Sequence, residues 1–571
     1  MAGSAPAASR TPCECANYLR HTPCSFRNPC ILADRQGKIK LVIKKILKQP
    51  LFWIFILALF LRTYKLSSFP VGFHADEVRV GWNALSILKT GKDDRGKALA
   101  LYYNTFGDFR PTGIFYLTIP SIAIFGRSEF AVRFPSAFLG ALTVFPLFLF
   151  AKELLKKKNL ALSAGFLLAI NPWHISTSRA TSEVVMALFF TLWGLTFFLK
   201  KKYFYSLLFL VVSYFFYHSI RALAPMFAFA MIVKNKIITK PAIIIFLLLS
   251  LVTCLLSLNK DARARFSQVS IFNDLDVKYE LSRMPFEEGP NKVFVARFWH
   301  NKPSVYVRRF VNEYAKYFSS DFFLVSERAK PTRYQTVGIG LITYMELILF
   351  IAGLVAIAKK NYSILPLILL LLAPIPASLT TEDAPNLHRA LFMVPFITII
   401  GAYGLDYIKT FALPVRQVGF FFLIFNFIFF LHMYFVHSKV HLPLYRNVGA
   451  KELAVYLNKV QKDYDRIILT NIPDDPYPWI AYFTGQNPKI FNRDAVTREK
   501  GVWQTQNLLF TGQRCPSRDA FTNPDVKRLL VVDAEGCATE SNLKDRTDIK
   551  LEKIFRPDES EVYNLWSKVV P

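Results

Sequence analysis

The chain has 571 residues, of which 53% are apolar and only 19% charged, with a mean hydropathy of +0.28. That balance excludes an ordinary soluble enzyme, a collagen, a coiled coil, a disordered chain and a small disulfide scaffold. A formal charge of +29 is dispersed between apolar stretches instead of gathered on one face, which argues against a nucleic-acid partner. A polytopic membrane protein with basic loops fits.

Residues 1–34 read as a disordered leader or a misassigned start. Cys13, Cys15, Cys24 and Cys30 lie there in no C-x-x-C pair, and no apolar signal-peptide core follows. A basic run, Lys38–Lys48, then precedes the first apolar span, Leu51–Leu66. Further spans are predicted near 130–151, 160–175, 183–199, 203–219, 221–233, 240–258, 336–358, 361–380, 389–408 and 415–437. The short apolar stretch Ile114–Gly126 decides the topology. If it crossed, the lysine clusters 152–158, 200–202 and 234–240 would all move outside, against the positive-inside rule. It is therefore expected to lie at the outer interface. About 11 transmembrane helices follow, with the N-terminus inside.

That arrangement puts a first loop (67–129), a short loop (171–182), a long loop (259–335) and Thr381–Arg389 outside. Residues 35–437 form the membrane domain. Residues 438–571 read as an extracytoplasmic α/β domain, with a helix near 449–460 and strands at Arg466–Thr470 and Arg528–Val532. Cys515 and Cys537 could pair there if the domain faces an oxidising space.

Chemistry concentrates after the first span, at Phe73-His74-Ala75-Asp76-Glu77-Val78. A positioned carboxylate can act as a general base, and two carboxylates with a histidine can hold a divalent cation. The plainer reading is a solvated acidic helix start, predicted for a helix over 76–89. For the lipid-phosphate donor that the family resemblance given below implies, arginines and histidines at outer helix ends suit the anionic phosphate. Arg179, Arg221, Arg389, His218 and His388 occupy such positions. Local pairing is expected for Glu129 with Arg133, and is open for Arg179 with Glu183. Arg221 and Arg389 show no such acidic neighbour. Arg263 and Arg265 open the long loop, where snorkelling explains them nearly as well as phosphate binding. Asp274-Leu275-Asp276 has the spacing of a nucleotide-sugar motif, but no nucleotide-binding unit surrounds it. The stripe Val307, Phe310, Val311, Tyr314 and Phe318 is expected to pack onto the membrane domain.

Several of these segments recur in one order: His74–Val78, Arg110-Pro111, Ser128–Pro135, Asn171–Ala180, Tyr217–Arg221 and Thr381–Arg389. In this the chain resembles the integral-membrane glycosyltransferases of the C superfamily (GT-C). It is most similar to the protein O-mannosyltransferase-like family 39, with the aminoarabinose transferases as cousins. The resemblance covers roughly residues 50–410. It implies an α-helical GT-C fold and an inverting transferase that takes a sugar from a polyprenyl-phosphate donor outside the cytoplasmic membrane. The acceptor would be a protein, lipid or glycan hydroxyl. It implies Asp76 as the base, Glu77 as its partner, and Arg110 beside the phosphate, although relatives often read Lys or His and two prolines there. His74 and Glu77 are the pair that could hold a cation such as Mg or Mn; relatives differ in metal dependence. A transporter or flippase and a membrane glycan ligase are the competing readings. Against a transporter, Glu346 is the acidic exception within the span interiors; against a ligase stands the early Asp76-Glu77 loop.

Overall fold

The computed structural model describes residues 47–99, 101–105, 108–289, 292–325, 334–442, 444–470, 472, 476–489, 492, 502–511, 515, 521–522, 526–534 and 547–569. The leader and Cys537 lie outside these. Of the described residues, 47–53 fall in one unit and those from 54 to 569 in another. In the first, Trp53 Nε1 donates to the Leu47 carbonyl at 2.9 Å.

Among the described residues, four helices are long and apolar enough to cross a membrane: Glu129–Leu155, Lys240–Ser257, Leu391–Ile408 and Leu413–His441. Pro172–Arg179 and Glu183–Leu199 would together make a fifth, bent by 120°. Shorter apolar helices include Pro50–Thr63, Lys158–Ile170, Tyr203–Ser213 and Leu365–Ser378. Several expected spans are trimmed. Asn171 stops the helix Lys158–Ile170 and caps the next by accepting from the His174 amide at 2.9 Å. The expected span at 336–358 begins only at Tyr344, where Thr343 and Glu346 form a capping box. The helices Tyr344–Lys360 and Val394–Ile408 cross so closely that a Cβ on Gly353 would meet the Ile400 carbonyl, the small-residue contact that lets membrane helices pack.

The first loop builds a helix, Ala75–Thr90, one residue longer at each end than predicted. Its N-terminus is a capping box: His74 Nδ1 accepts from the Asp76 amide at 3.1 Å, and Glu77 accepts from the His74 amide at 3.2 Å. Gly91, at φ +72°, closes the other end. A two-stranded hairpin follows, β1 (Tyr102–Thr105) against β2 (Asp108–Pro111), setting Tyr103 opposite Arg110. The helix Gly113–Phe125 then has 13 residues, about 20 Å at 1.5 Å per residue, against a hydrocarbon core of about 30 Å.

The long loop folds as helices, the largest being Leu275–Glu287 and Lys302–Lys316. Of the stripe expected to pack inward, Phe310, Tyr314 and Phe318 are half-buried, and Tyr314 donates to the Leu371 carbonyl at 2.8 Å. Val307 and Val311 are exposed, while Val305, Glu313 and Tyr317 are buried. Glu313 meets Arg309 at 3.3 Å and Lys316 at 2.9 Å, so charge pairing as well as apolar contact sets the buried face. Asp274 caps the helix Leu275–Glu287 and binds Arg309 at 2.7 Å, a structural use of that motif.

The C-terminal region holds a six-stranded sheet. Its strands are β3 (Arg466–Leu469), β4 (Trp503–Thr505), β5 (Leu508–Phe510), β6 (Arg528–Ala534), β7 (Ile549–Phe555) and β8 (Glu561–Val569), in the order β4-β5-β3-β6-β8-β7. β3 is parallel to both β5 and β6, and the outer pairs are antiparallel. Phe521, Leu529, Val531 and Trp566 form a core on one face. The helix Ala450–Val460 buries Leu453, Ala454 and Leu457.

Candidate active site

Asp76 and Glu77 are neighbours in sequence but differ in environment, because adjacent helical positions point about 100° apart. Asp76 keeps 13% of its side chain exposed and accepts an ion pair from Arg110 at 2.7 Å. Arg79 lies at 3.7 Å and His74 Nδ1 at 3.8 Å. The hairpin carries Arg110, which sits on β2 opposite Tyr103.

Glu77 is buried. Its carboxylate accepts from Arg133 Nε and Nη2, each at 3.0 Å, from Arg446 Nη2 at 2.5 Å and from the Thr181 amide at 3.0 Å. Burial favours the protonated form, but the two guanidiniums outweigh it and hold the carboxyl down at about 2. Both oxygens are thus engaged by cations and N–H donors. A metal ion shared with His74 would have to displace them, so these residues do not fit a divalent cation. Among the described residues, no group of three or more His, Cys, Asp or Glu could hold one.

The expected pair of Glu129 with Arg133 is not formed. Arg133 turns inward to Glu77 and also donates to the Leu66 and Gly72 carbonyls, while Glu129 meets Lys451. A fully buried, doubly hydrogen-bonded carboxylate is a stronger partner than a half-buried one a turn away. Arg179 is not brought to the site either. Fully buried, it donates to the carbonyls of Leu61, Tyr64 and Phe69 and to Tyr434, tying the chain that follows the first apolar helix.

Arg221 donates to the Tyr102 hydroxyl and to the Tyr214 carbonyl at 3.0 Å. Tyr102 stacks on His218 with ring centroids 5.6 Å apart. The hairpin therefore touches Asp76 through Arg110 and Arg221 through Tyr102. Next to His218, Tyr217 meets the His388 ring edge-on at 5.6 Å. His388 stacks on Tyr334 at 4.7 Å and shares a hydrogen bond with Ser182 at 2.9 Å. Arg389 has the acidic partner that the sequence did not suggest: Glu382 at 2.6 Å, with Thr380 Oγ1 also at 2.6 Å. Arg263 is exposed on the helix Lys260–Val269, which packs against β2; the Arg265 side chain lies outside the described residues.

Sequence reasoning missed the contribution of the C-terminal region. Besides Arg446, Asn447 Oδ1 accepts from the Ala75 amide at 3.0 Å, and Trp479 Nε1 donates to the Phe73 carbonyl at 2.8 Å. Arg446 Nε reaches the Val71 carbonyl at 2.8 Å. Nothing in the local pattern at 446–447 signals a partner 369 residues away.

A helical membrane protein with a carboxylate that keeps a little exposure, basic neighbours and a sheet domain clamped to the same loop is the class these features define. Residues 53–208 match the model of the dolichyl-phosphate-mannose-protein mannosyltransferase family. That stretch contains Asp76, Glu77, Arg110 and Arg179. No curated protein sequence matches significantly. Among solved structures, ArnT from Cupriavidus metallidurans bound to undecaprenyl phosphate is similar at 12% identity and a TM-score of 0.48, over 93% of this chain and 98% of that one. The oligosaccharyltransferase AglB from Archaeoglobus fulgidus, in complex with an inhibitory peptide and a dolichol-phosphate, is similar at 12% identity and a TM-score of 0.44, over 90% and 73%. At these values both likenesses stand as observations alone.

Proposed function

We propose that the chain is an inverting glycosyltransferase. It moves a sugar from a polyprenyl-phosphate donor to an acceptor hydroxyl at the outer face of the cytoplasmic membrane. The family match over residues 53–208 supports the class of reaction. The observation that carries the site assignment is the contrast within one helix turn: Glu77 is enclosed, while Asp76 keeps a partly open carboxylate beside Arg110.

In this reading Asp76 accepts the proton of the acceptor hydroxyl. The acceptor oxygen bonds to the anomeric carbon from the face opposite the lipid, and the bond from that carbon to the phosphate oxygen breaks. The electron pair leaves on the lipid phosphate. Arg110, Arg221 and His218, linked through the β1–β2 hairpin, receive that anion, with His388 and Arg389 bordering it. Arg62, Arg133, Arg179 and Arg446 are all fully buried, and Glu77 neutralises only part of their charge. The resulting positive potential favours a developing phosphate dianion. Arg263 would meet the lipid at the rim.

Glu77 acts by holding the helix start, not by touching the substrate. The acceptor class is a protein, lipid or glycan hydroxyl. The same reading keeps the 11-span topology, with Gly113–Phe125 at the outer interface and residues 438–571 outside. Incubating the purified protein with labelled polyprenyl-phosphate sugars and separated envelope acceptors tests it. Transfer lost in Asp76→Asn supports the assignment, and transfer at the wild-type rate refutes it.

A further inference from the structure

The long loop presents an apolar tip that a water-facing domain would not leave bare. In the short helix Val293–Trp299, Phe294 is 83% exposed, Phe298 60% and Trp299 62%, and Ala296 is the buried position. Phe286, at the end of the preceding helix, is 85% exposed. Clustered exposed aromatics of this size mark a contact surface.

We propose that this tip is a membrane-interface element, its aromatic side chains seated at the headgroup and acyl boundary of the outer leaflet. Three observations favour lipid as the occupant. First, residues 292–302 carry Lys292, Arg297 and Lys302 and no carboxylate, so the tip combines aromatics with positive charge, the mixture that suits an anionic lipid surface.

Second, the loop is stitched to apolar helices of the kind that enter a membrane. It leaves the membrane-length helix Lys240–Ser257 almost directly into Lys260–Val269. Its Ser270 then bridges Thr380, beside the apolar helix Leu365–Ser378. Tyr314 donates to the Leu371 carbonyl of that helix at 2.8 Å. Third, three carbonyls of the tip, those of Ala296, Phe298 and Trp299, are satisfied. Asn301 Nδ2 donates to Phe298 at 2.7 Å, Ser304 Oγ to Trp299 at 2.6 Å and the His300 amide to Ala296 at 2.8 Å. Backbone prepared in this way enters a low-dielectric region with those acceptors paired. His300 and Glu288, 3.0 Å apart, brace the polar base of the tip.

The test uses the full chain reconstituted in phosphatidylethanolamine and phosphatidylglycerol vesicles. The difference in fluorescence between wild type and Trp299→Phe isolates Trp299, and Phe294→Trp in the Trp299→Phe background gives a second reporter. Lipids brominated near the headgroup end of the acyl chain should quench both reporters, and aqueous iodide should not. Quenching by iodide and not by bromolipid would overturn the proposal, because the tip would then face water. Protection from both quenchers would also overturn it, since protein would be the cover.

Discussion

Arg446 and Glu77 meet at 2.5 Å across 369 residues of chain. The pair joins the entrance of the C-terminal region to the helix that carries Asp76. With both side chains buried, removing Arg446 leaves Glu77 to Arg133 and the Thr181 amide alone, a loss below the ~3–5 kcal/mol of a buried charge left wholly unpaired. Arg446→Met should therefore lower the unfolding midpoint of the purified protein sharply, and Arg446→Lys should restore part of it. A midpoint unchanged in Arg446→Met would show that the pair carries no stability.

Glu77 also predicts an acid limit. Its carboxyl sits at about 2 in the folded protein against an ordinary 4.5. A depressed value contributes stability that is fully present above the ordinary value. It is lost as pH falls towards 2, at up to about 1.4 kcal/mol per pH unit. Glu77→Gln should weaken the fold at neutral pH and flatten this slope. Thermal unfolding at stepped pH reads both effects.

Asp76→Asn should behave in the opposite way. A positioned base contributes roughly 10²–10⁴-fold to rate, so turnover should fall steeply while the unfolding midpoint and donor affinity stay near wild type. Single-turnover transfer beside direct donor binding separates this outcome from a folding defect.

Arg221→Ala should weaken donor binding and turnover together, because the phosphate is anionic in both ground and transition states. Tyr102→Phe, which removes the hydroxyl that anchors Arg221, should produce a smaller loss of the same kind. Full donor affinity in Arg221→Ala would remove this arginine from the phosphate site.

The C-terminal sheet holds a second buried carboxyl. Burial pushes Asp533 up from 3.8 to about 6, with the Trp566 indole at 3.0 Å opposing the shift. Between those values the folded state binds more protons than the unfolded one, so this group makes stability fall as pH rises from about 4 to about 6. Asp533→Asn should abolish that decline and raise the midpoint at pH 7, as measured by thermal unfolding of the full chain.

Local signals carried much of the fold. The helix starting at Asp76 was legible because acidic residues in a first turn suit the helix N-terminus, and its bounds moved by a single residue at each end. The strand at 466–469 was legible because alternation within a few residues is a local property. Glu346 shows the limit: apolar composition extended a span back to residue 336, but capping at Thr343 begins the helix at Tyr344. The site residues were legible one by one, not in their pairings. Arg133 had an acceptable carboxylate one turn away and took a distant buried one instead, and Arg389 found Glu382 through a loop. Spacing along a helix ranks neighbours on its surface, and it carries no information about carboxylates that tertiary packing delivers.

Asn447 accepting from the Ala75 amide has a consequence in time. A ribosome delivers residue 75 long before residue 447, so the helix start beside Asp76 must wait, incompletely capped, until nearly four-fifths of the chain has been made. The reactive loop is finished by a segment made long after the loop itself. Nascent or truncated chains ending before this segment should therefore insert their early helices yet stay inert, and the first active molecule should be one whose tail has already folded against its head.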